Sequence, residues 1–172
     1  MAEKLILVND EDKPIGTDEK LKVHKEGKLH RAFSIYIFND KDEMLLQQRA
    51  LGKYHSAGKW SCSCCGHPRP GELTQQAAER RLNEEFGIKA KLKEITSFIY
   101  KASLDKGLQE NEFLYIFTGC FEGDIAPDPI EIMNFRWMSL DKINDDIKKN
   151  PDKYSEWFKL TLKRVKDEEL IN

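Results

Sequence analysis

Three short stretches of this chain hold side chains that are able to do chemistry together. In Cys65-Gly66-His67 a thiol and an imidazole stand two residues apart, and in Glu110-Asn111-Glu112 two carboxylates flank an amide. If residues 109–117 form a strand, period two places Glu110, Glu112, Leu114 and Ile116 on one face. Two carboxylates on a core-facing side repel, and each resists ionising unless a cation or a shared proton lies between them; a bound metal is the simplest resolution. Two further imidazoles, His24 and His30, lie six residues apart near the N-terminus. A single histidine is more often a surface or core residue than a ligand, so the argument rests on several arriving at one place. Cys62-Ser63-Cys64-Cys65 also reads as C-x-x-C, a pattern of zinc and redox thiols, but the chain holds no second such pair.

The elements that must position these groups follow from the surrounding pattern. Residues 5–8 read as a buried strand, 9–14 as a turn and 15–17 as its return, a small hairpin. From Thr17 the chain is polar, with Lys20, Lys22, His24 and Lys25, until His30 and the apolar, β-branched and aromatic run 32–38. Residues 39–42 turn that strand back onto 44–49, and 50–59 form a loop in which His55 is expected to be solvated. Residues 60–64 read as a short strand carrying Cys65-Gly66-His67 at its end, and Pro68-Arg69-Pro70-Gly71 excludes helix and inner strand. A helix follows, capped by Thr74 with Leu73 before it: Ala77, Ala78, Leu82 and Phe86 recur at helical spacing and Gly87 is its stop. Arg80, Arg81, Glu84 and Glu85 share its last turns. Strands are expected over 90–101 and 132–140, a turn at 105–107, a loop over 119–129 and a short helix over 141–149 broken by Pro151. Ser155 begins an amphipathic C-terminal helix to about residue 170, with Trp157 near its start.

With 172 residues, 40 % of them hydrophobic and 34 % charged, the chain suits a single α/β domain over 1–172. Its formal charge of −2 gives no global basic surface, which argues against nucleic acid, so any anion site is local. No stretch approaches the roughly 20 apolar residues of a membrane span, and the N-terminus is too short in apolar residues for a signal peptide. A cytosolic protein, monomeric or weakly homo-oligomeric, is expected. Cys62, Cys64 and Cys65 bunched together with Cys120 far away make a poor disulfide framework.

Read as a pattern, Gly66-x5-Glu72-x7-Arg80-Arg81-Leu82-x-Glu84-Glu85-x-Gly87-Ile88 resembles the Nudix box, a loop-helix-loop that holds divalent metal against a diphosphate. Hydrolases of that superfamily carry Glu directly after the Arg; here the position is Arg81. His24-x5-His30, Cys65-Gly66-His67-Pro68, Tyr100, Glu110-Asn111-Glu112 and Trp157 together resemble type I isopentenyl diphosphate isomerase, a Nudix-fold enzyme. That resemblance implies mixed β-sheets between helices and a Mn²⁺ or Mg²⁺ site made of His24, His30, His67, Glu110 and Glu112. It implies catalytic roles for Cys65 and Glu112, with Tyr100 beside the latter and Trp157 as an aromatic wall. It further implies diphosphate binding by Lys20, Arg49, Lys53 and Arg81, and a second Mg²⁺ on the substrate diphosphate near Glu85. His55, Cys62 and Cys64 match no functional position, and Glu84 is a hydrolase-like feature left without a role. The other readings are a Nudix hydrolase of a nucleoside diphosphate derivative, which Glu84-Glu85 favours, and a non-catalytic metal-dependent binding module.

Overall fold

The computed structural model describes residues 3–171. The N-terminal hairpin is present as β1 (Lys4–Val8) and β2 (Pro14–Glu19), its turn held by Asn9, whose Oδ1 accepts from the Glu11 and Lys13 amides at 3.0 and 2.9 Å. The polar stretch that follows is ordered as α1 (Lys20–Glu26), a helix with no apolar periodicity to announce it. Seven residues are too few for a stable helix in isolation, so α1 depends on tertiary contacts. It ends at Gly27 with φ +62°, the left-handed conformation that favours glycine at a helix C-terminus.

The central strand is β3 (His30–Phe38). Along one edge it pairs in parallel with β8 (Gln109–Cys120), from His30 opposite Glu112 to Phe38 opposite Cys120. Its other edge is shared by β1, by β6 (Cys64–Gly66), which sets Cys65 opposite Ser34, and by β4 (Glu43–Arg49). β7 (Lys93–Ser103) pairs with β8, while β5 (Trp60–Ser61) and β9 (Ile132–Ser139) pair with β4. Among the described residues, the nine strands join in one mixed sheet. The single strand expected over 60–64 is in fact two, β5 and β6, interrupted at Cys62-Ser63. There the Ser63 hydroxyl accepts from the Ile37 amide at 2.8 Å and donates to the Leu45 carbonyl at 2.7 Å, taking over bonds that the ladder would otherwise make.

Helices cover both faces, and the alternation of β3 divides the core between them. Phe33, Ile35 and Ile37 point toward α2 (Thr74–Phe86), where Ala77, Ala78, Leu82 and Phe86 are buried. Tyr36, with Leu46, Leu114 and Ile116, faces α3 (Leu140–Lys149) and α4 (Glu156–Asp167) and packs on Ile143, Phe158 and Leu162. Complete burial of Phe86 or Phe158 is worth about 1.5–3 kcal/mol each. Thr74 is the first helical residue of α2 rather than its cap; Leu73 occupies the cap position and no side chain caps the helix. Gly87 closes it in the left-handed conformation, φ +68°, as its place after Phe86 predicts. Among the described residues no helix is long and apolar enough to cross a membrane.

Candidate active site

α1 delivers Lys20 and His24, β3 His30, the end of β4 Arg49, and the following loop Lys53. Cys65 stands on β6 with His67 just beyond it, Arg81 and Glu85 on α2, Tyr100 on β7, Glu110 and Glu112 on β8, and Trp157 on α4. These side chains line one cavity of about 1080 Å³, with the exception of His30, which lies fully buried beneath it. Asn111, between the two glutamates, is structural: its amide donates to the Gly27 carbonyl at 2.8 Å and ties the C-terminus of α1 to β8.

Ligand atoms of His24, His30, His67 and Glu112 all lie within 4.8 Å of one another. Glu110 stands outside this group of four but within 3.4 Å of His24 Nε2. His24 Nδ1 bonds the Lys20 carbonyl at 2.7 Å and His30 Nδ1 the Lys28 carbonyl at 2.8 Å. A carbonyl only accepts, so both Nδ1 atoms carry the proton and, in the neutral ring, both Nε2 lone pairs face the cluster. Among the described residues, His30 Nε2, both nitrogens of His67 and Glu110 Oε2 are buried without a hydrogen-bond partner. Unpartnered buried nitrogens of His30 and His67 beside the Glu112 carboxylate, with the unpartnered Glu110 oxygen next to His24, are what a divalent cation satisfies, and the set of imidazoles and carboxylates suits Mn²⁺, Mg²⁺ or Zn²⁺.

The electrostatics agree. Burial works to lower the His24 pKa, but the Glu110 carboxylate outweighs it and raises it: the cluster draws in positive charge. Burial, with Lys20 next in weight, pushes His67 well down and keeps it neutral. For Glu112, burial opposes ionisation, yet His30 and the Tyr100 hydroxyl, which donates to Oε2 at 2.7 Å, hold its carboxyl below the ordinary range. Burial likewise pushes the Cys65 thiol up, and its contacts with Cys62 and Ser34 bring it below the usual thiol value. β6 and β8 flank opposite edges of β3, so Cys65 and Glu112 approach the cavity from either side of the central strand.

A second group gathers at the α2 side. Arg81 donates to Glu84 at 2.8 Å and to Glu85 at 2.5 Å, and lies 3.2 Å from Glu131. Glu84, which had no role in the sequence, binds Arg80 and Arg81 and so fixes the direction of the two guanidinium groups. Glu85 is buried, which pushes its pKa up, and accepts from Gln47 Nε2 at 3.1 Å. Gln47 and Glu131, which also pairs with Lys53, were missed. A polar side chain on the buried face of an apolar strand was the available signal for Gln47; Glu131, in a loop, had none.

One expectation is overturned. His55 is buried, 6 % exposed, with its ring 6.2 Å from that of His24 and edge-on to Trp157 at 5.5 Å. The loop folds inward so that His55 lines the cavity instead of facing solvent, and burial beside Arg49 pushes His55 down to about 3. Trp157 also carries the Arg49 guanidinium 5.1 Å from its ring centroid.

The NUDIX domain family model matches residues 28–158. The isopentenyl-diphosphate Delta-isomerase of Serratia proteamaculans is 47 % identical over 95 % of this chain and 91 % of that protein, and that of Burkholderia multivorans 44 % identical over 96 % and 94 %. Among solved structures, a Deinococcus radiodurans protein superposes with TM-score 0.77 at 16 % identity, covering 94 % of this chain and 98 % of that one. The MutT protein of Methanosarcina mazei gives 0.67 at 22 % identity over 82 % and 95 %. At such identities these two likenesses are of fold alone. The relatives' identity and coverage, together with the family model, decide the matter: the chain belongs to the Nudix superfamily and, within it, to the isopentenyl-diphosphate Delta-isomerases.

Proposed function

We propose that this chain, acting as a single catalytic domain over 1–172, interconverts isopentenyl diphosphate and dimethylallyl diphosphate. The observation that carries the reading is the convergence of Cys65 and Glu112 on one cavity beside the three-histidine cluster, in a chain of this family. Moving the double bond from C3–C4 to C2–C3 requires a proton added at C4, which leaves a tertiary cation at C3, and a proton taken from C2. Two proton carriers reaching the substrate from different sides suit this, and Cys65 and Glu112 are the pair. Tyr100 holds the Glu112 carboxylate through its hydroxyl. The indole of Trp157 faces the developing cation, an attraction worth about 2 kcal/mol when desolvated.

His24, His30, His67, Glu110 and Glu112 would hold Mn²⁺ or Mg²⁺. When bound, a divalent ion supplies the positive charge that lets adjacent buried carboxylates stay ionised. Lys20, Arg49, Lys53 and Arg81 would bind the diphosphate, which stays intact as a handle, and Glu85 would take a Mg²⁺ that accompanies it. Arg81, surrounded by Glu84, Glu85 and Glu131, puts a fixed cation where a hydrolase needs a carboxylate. The test is incubation with isopentenyl diphosphate, measuring acid-labile allylic product and free phosphate together. Allylic product without phosphate is expected; phosphate release would replace this reading with hydrolysis, and neither product would leave a binding module.

A further inference from the structure

We propose that Cys62 is a resolving thiol for Cys65: oxidation of Cys65 is captured as a reversible Cys62–Cys65 disulfide that closes the site. The two are the ends of a C-x-x-C pattern, of which the isomerase reading uses Cys65 and gives Cys62 no role. Their sulfurs are 2.7 Å apart, and both residues belong to the side of the sheet covered by α4. Cys64 lies between them in sequence but faces the opposite layer, among the residues packed against α2, so it does not compete. The break between β5 and β6 at Cys62-Ser63 is what turns residues 62 and 65 to the same side. A covalent S–S bond is about 2.05 Å long, so closure needs a shift of under about an ångström.

Exposure sets the order of events. Cys65 borders the cavity, which admits a small peroxide, whereas Cys62 is fully buried behind it. The Cys65 sulfur attacks one oxygen of hydrogen peroxide; the O–O bond breaks, one water leaves and Cys65 becomes a sulfenic acid. Cys62 then attacks that sulfur, the S–S bond forms as the S–O bond breaks, and a second water leaves. In sum two thiols lose two electrons and two protons, and the peroxide is reduced to two waters. A dithiol reductant reverses the change. Without a resolving partner the sulfenic acid is open to further, irreversible oxidation.

The disulfide itself depends only on the two thiols, while its effect on turnover rests on the reading of Cys65 as a proton carrier; mass and activity therefore test the two separately. Reduced protein, freed of reductant, is treated with hydrogen peroxide at about one equivalent and followed by intact mass, fragment mapping and isomerase assay. In the wild type the mass of two hydrogens should be lost, the cross-link should map to Cys62 and Cys65, and dithiothreitol should restore both mass and activity. Cys62→Ser and Cys62→Ala should instead gain oxygen at Cys65 and recover poorly, and Cys64→Ser should behave as wild type. A wild type that gains oxygen without cross-linking, or a cross-link mapping to Cys64, overturns the proposal, and the mapping needs no variant to fold. A cross-linked protein that retains full turnover would instead overturn the role given to Cys65.

Discussion

His30 and Glu112 are register partners in the parallel β3–β8 ladder, and their side chains meet with Nε2 3.7 Å from Oε1. Tyr100 is the partner of the same glutamate across the antiparallel β7–β8 pair. One carboxylate thus stands between both neighbouring strands, with an imidazole near Oε1 on one side and a hydroxyl that donates to Oε2 on the other. Removing only the second contact should disturb the proton carrier while leaving the metal ligands in place. Tyr100→Phe is expected to lower kcat by roughly tenfold, the ~1.5 kcal/mol of a hydrogen bond to a charged group. Metal content by mass spectrometry should be unchanged; metal lost along with activity would mean that Tyr100 builds the cluster instead.

The strand face bearing Glu110 and Glu112 was legible because period two is a local property, and so was α2, whose apolar residues repeat and whose Gly87 stops it. The register that sets Glu112 against His30 joins residues far apart in the chain and leaves no mark in either strand. Two elements escaped for opposite reasons. α1 is almost wholly polar, and its two buried residues, Val23 and His24, form no stripe to detect. His55 sits in a Gly- and Ser-bearing loop that reads as exposed; long-range contacts draw it inside, the rings of Trp157 and His24 packing on it and Asp105 accepting from the Ser56 amide. The box helix betrayed the site by residue type, whereas Gln47 and Glu131 serve it from positions that carry no motif.

Metal should order the N-terminal part of the site. α1 is short and joined to the core chiefly through His24, Val23 and the Asn111–Gly27 bond. Chelation is expected to raise hydrogen exchange in residues 20–30 before it affects β3 beyond His30 or α2. Equal protection of that segment with and without a chelator would show that the helix stands without an ion.

Arg81 is bound by three carboxylates, so replacing it tests charge at the anion end of the cavity. Arg81→Glu would bring a fourth carboxylate beside Glu84, Glu85 and Glu131. The isomerase kcat/KM should fall by at least about tenfold, the loss of one charge-assisted bond to the diphosphate. Arg81→Gln should fall in the same direction, since the glutamate's repulsion is not needed for the effect. An unchanged kcat/KM in both variants would remove Arg81 from the substrate site.

The buried His55 makes stability depend on pH in a defined direction. Its folded pKa is about 3 against an ordinary 6.5, lowered by burial and then by Arg49, with Glu110, His24 and Asp105 the other charged neighbours. Above pH 6.5 both states are neutral there and the group is silent. Below it the unfolded chain takes up a proton that the folded one refuses, so stability falls as pH drops toward 3, at up to about 1.4 kcal/mol per unit. Urea midpoints of wild type and His55→Gln, both measured with a chelator so that their shared histidines cancel, should converge or cross as the pH falls from about 6 to about 4.5. A difference independent of pH would mean that His55 takes up its proton in place.

The proton carriers themselves are tested by the fate of solvent hydrogen. If Cys65 and Glu112 act through a cation at C3, the hydrogen delivered to C4 comes from an exchangeable side chain, and turnover in deuterium oxide must place deuterium in a methyl group of the allylic product. Hydrolysis of the diphosphate leaves no such label. Cys65→Ala and Glu112→Gln should each lower incorporation by roughly 10²–10⁴-fold, the usual cost of losing a general acid or base. Cys64→Ala should retain most of it, because Cys64 is fully buried and is not among the residues that line the cavity. Glu112 is also one of the four residues whose ligand atoms lie within 4.8 Å of one another, so its variant must be assayed for bound metal in parallel. Cys65 carries no such ambiguity: it stands on β6, opposite Ser34, and is not among those four. Label-free product from the wild type would exclude protonation at C4, and full incorporation by Cys65→Ala would shift the proton to another group lining the cavity.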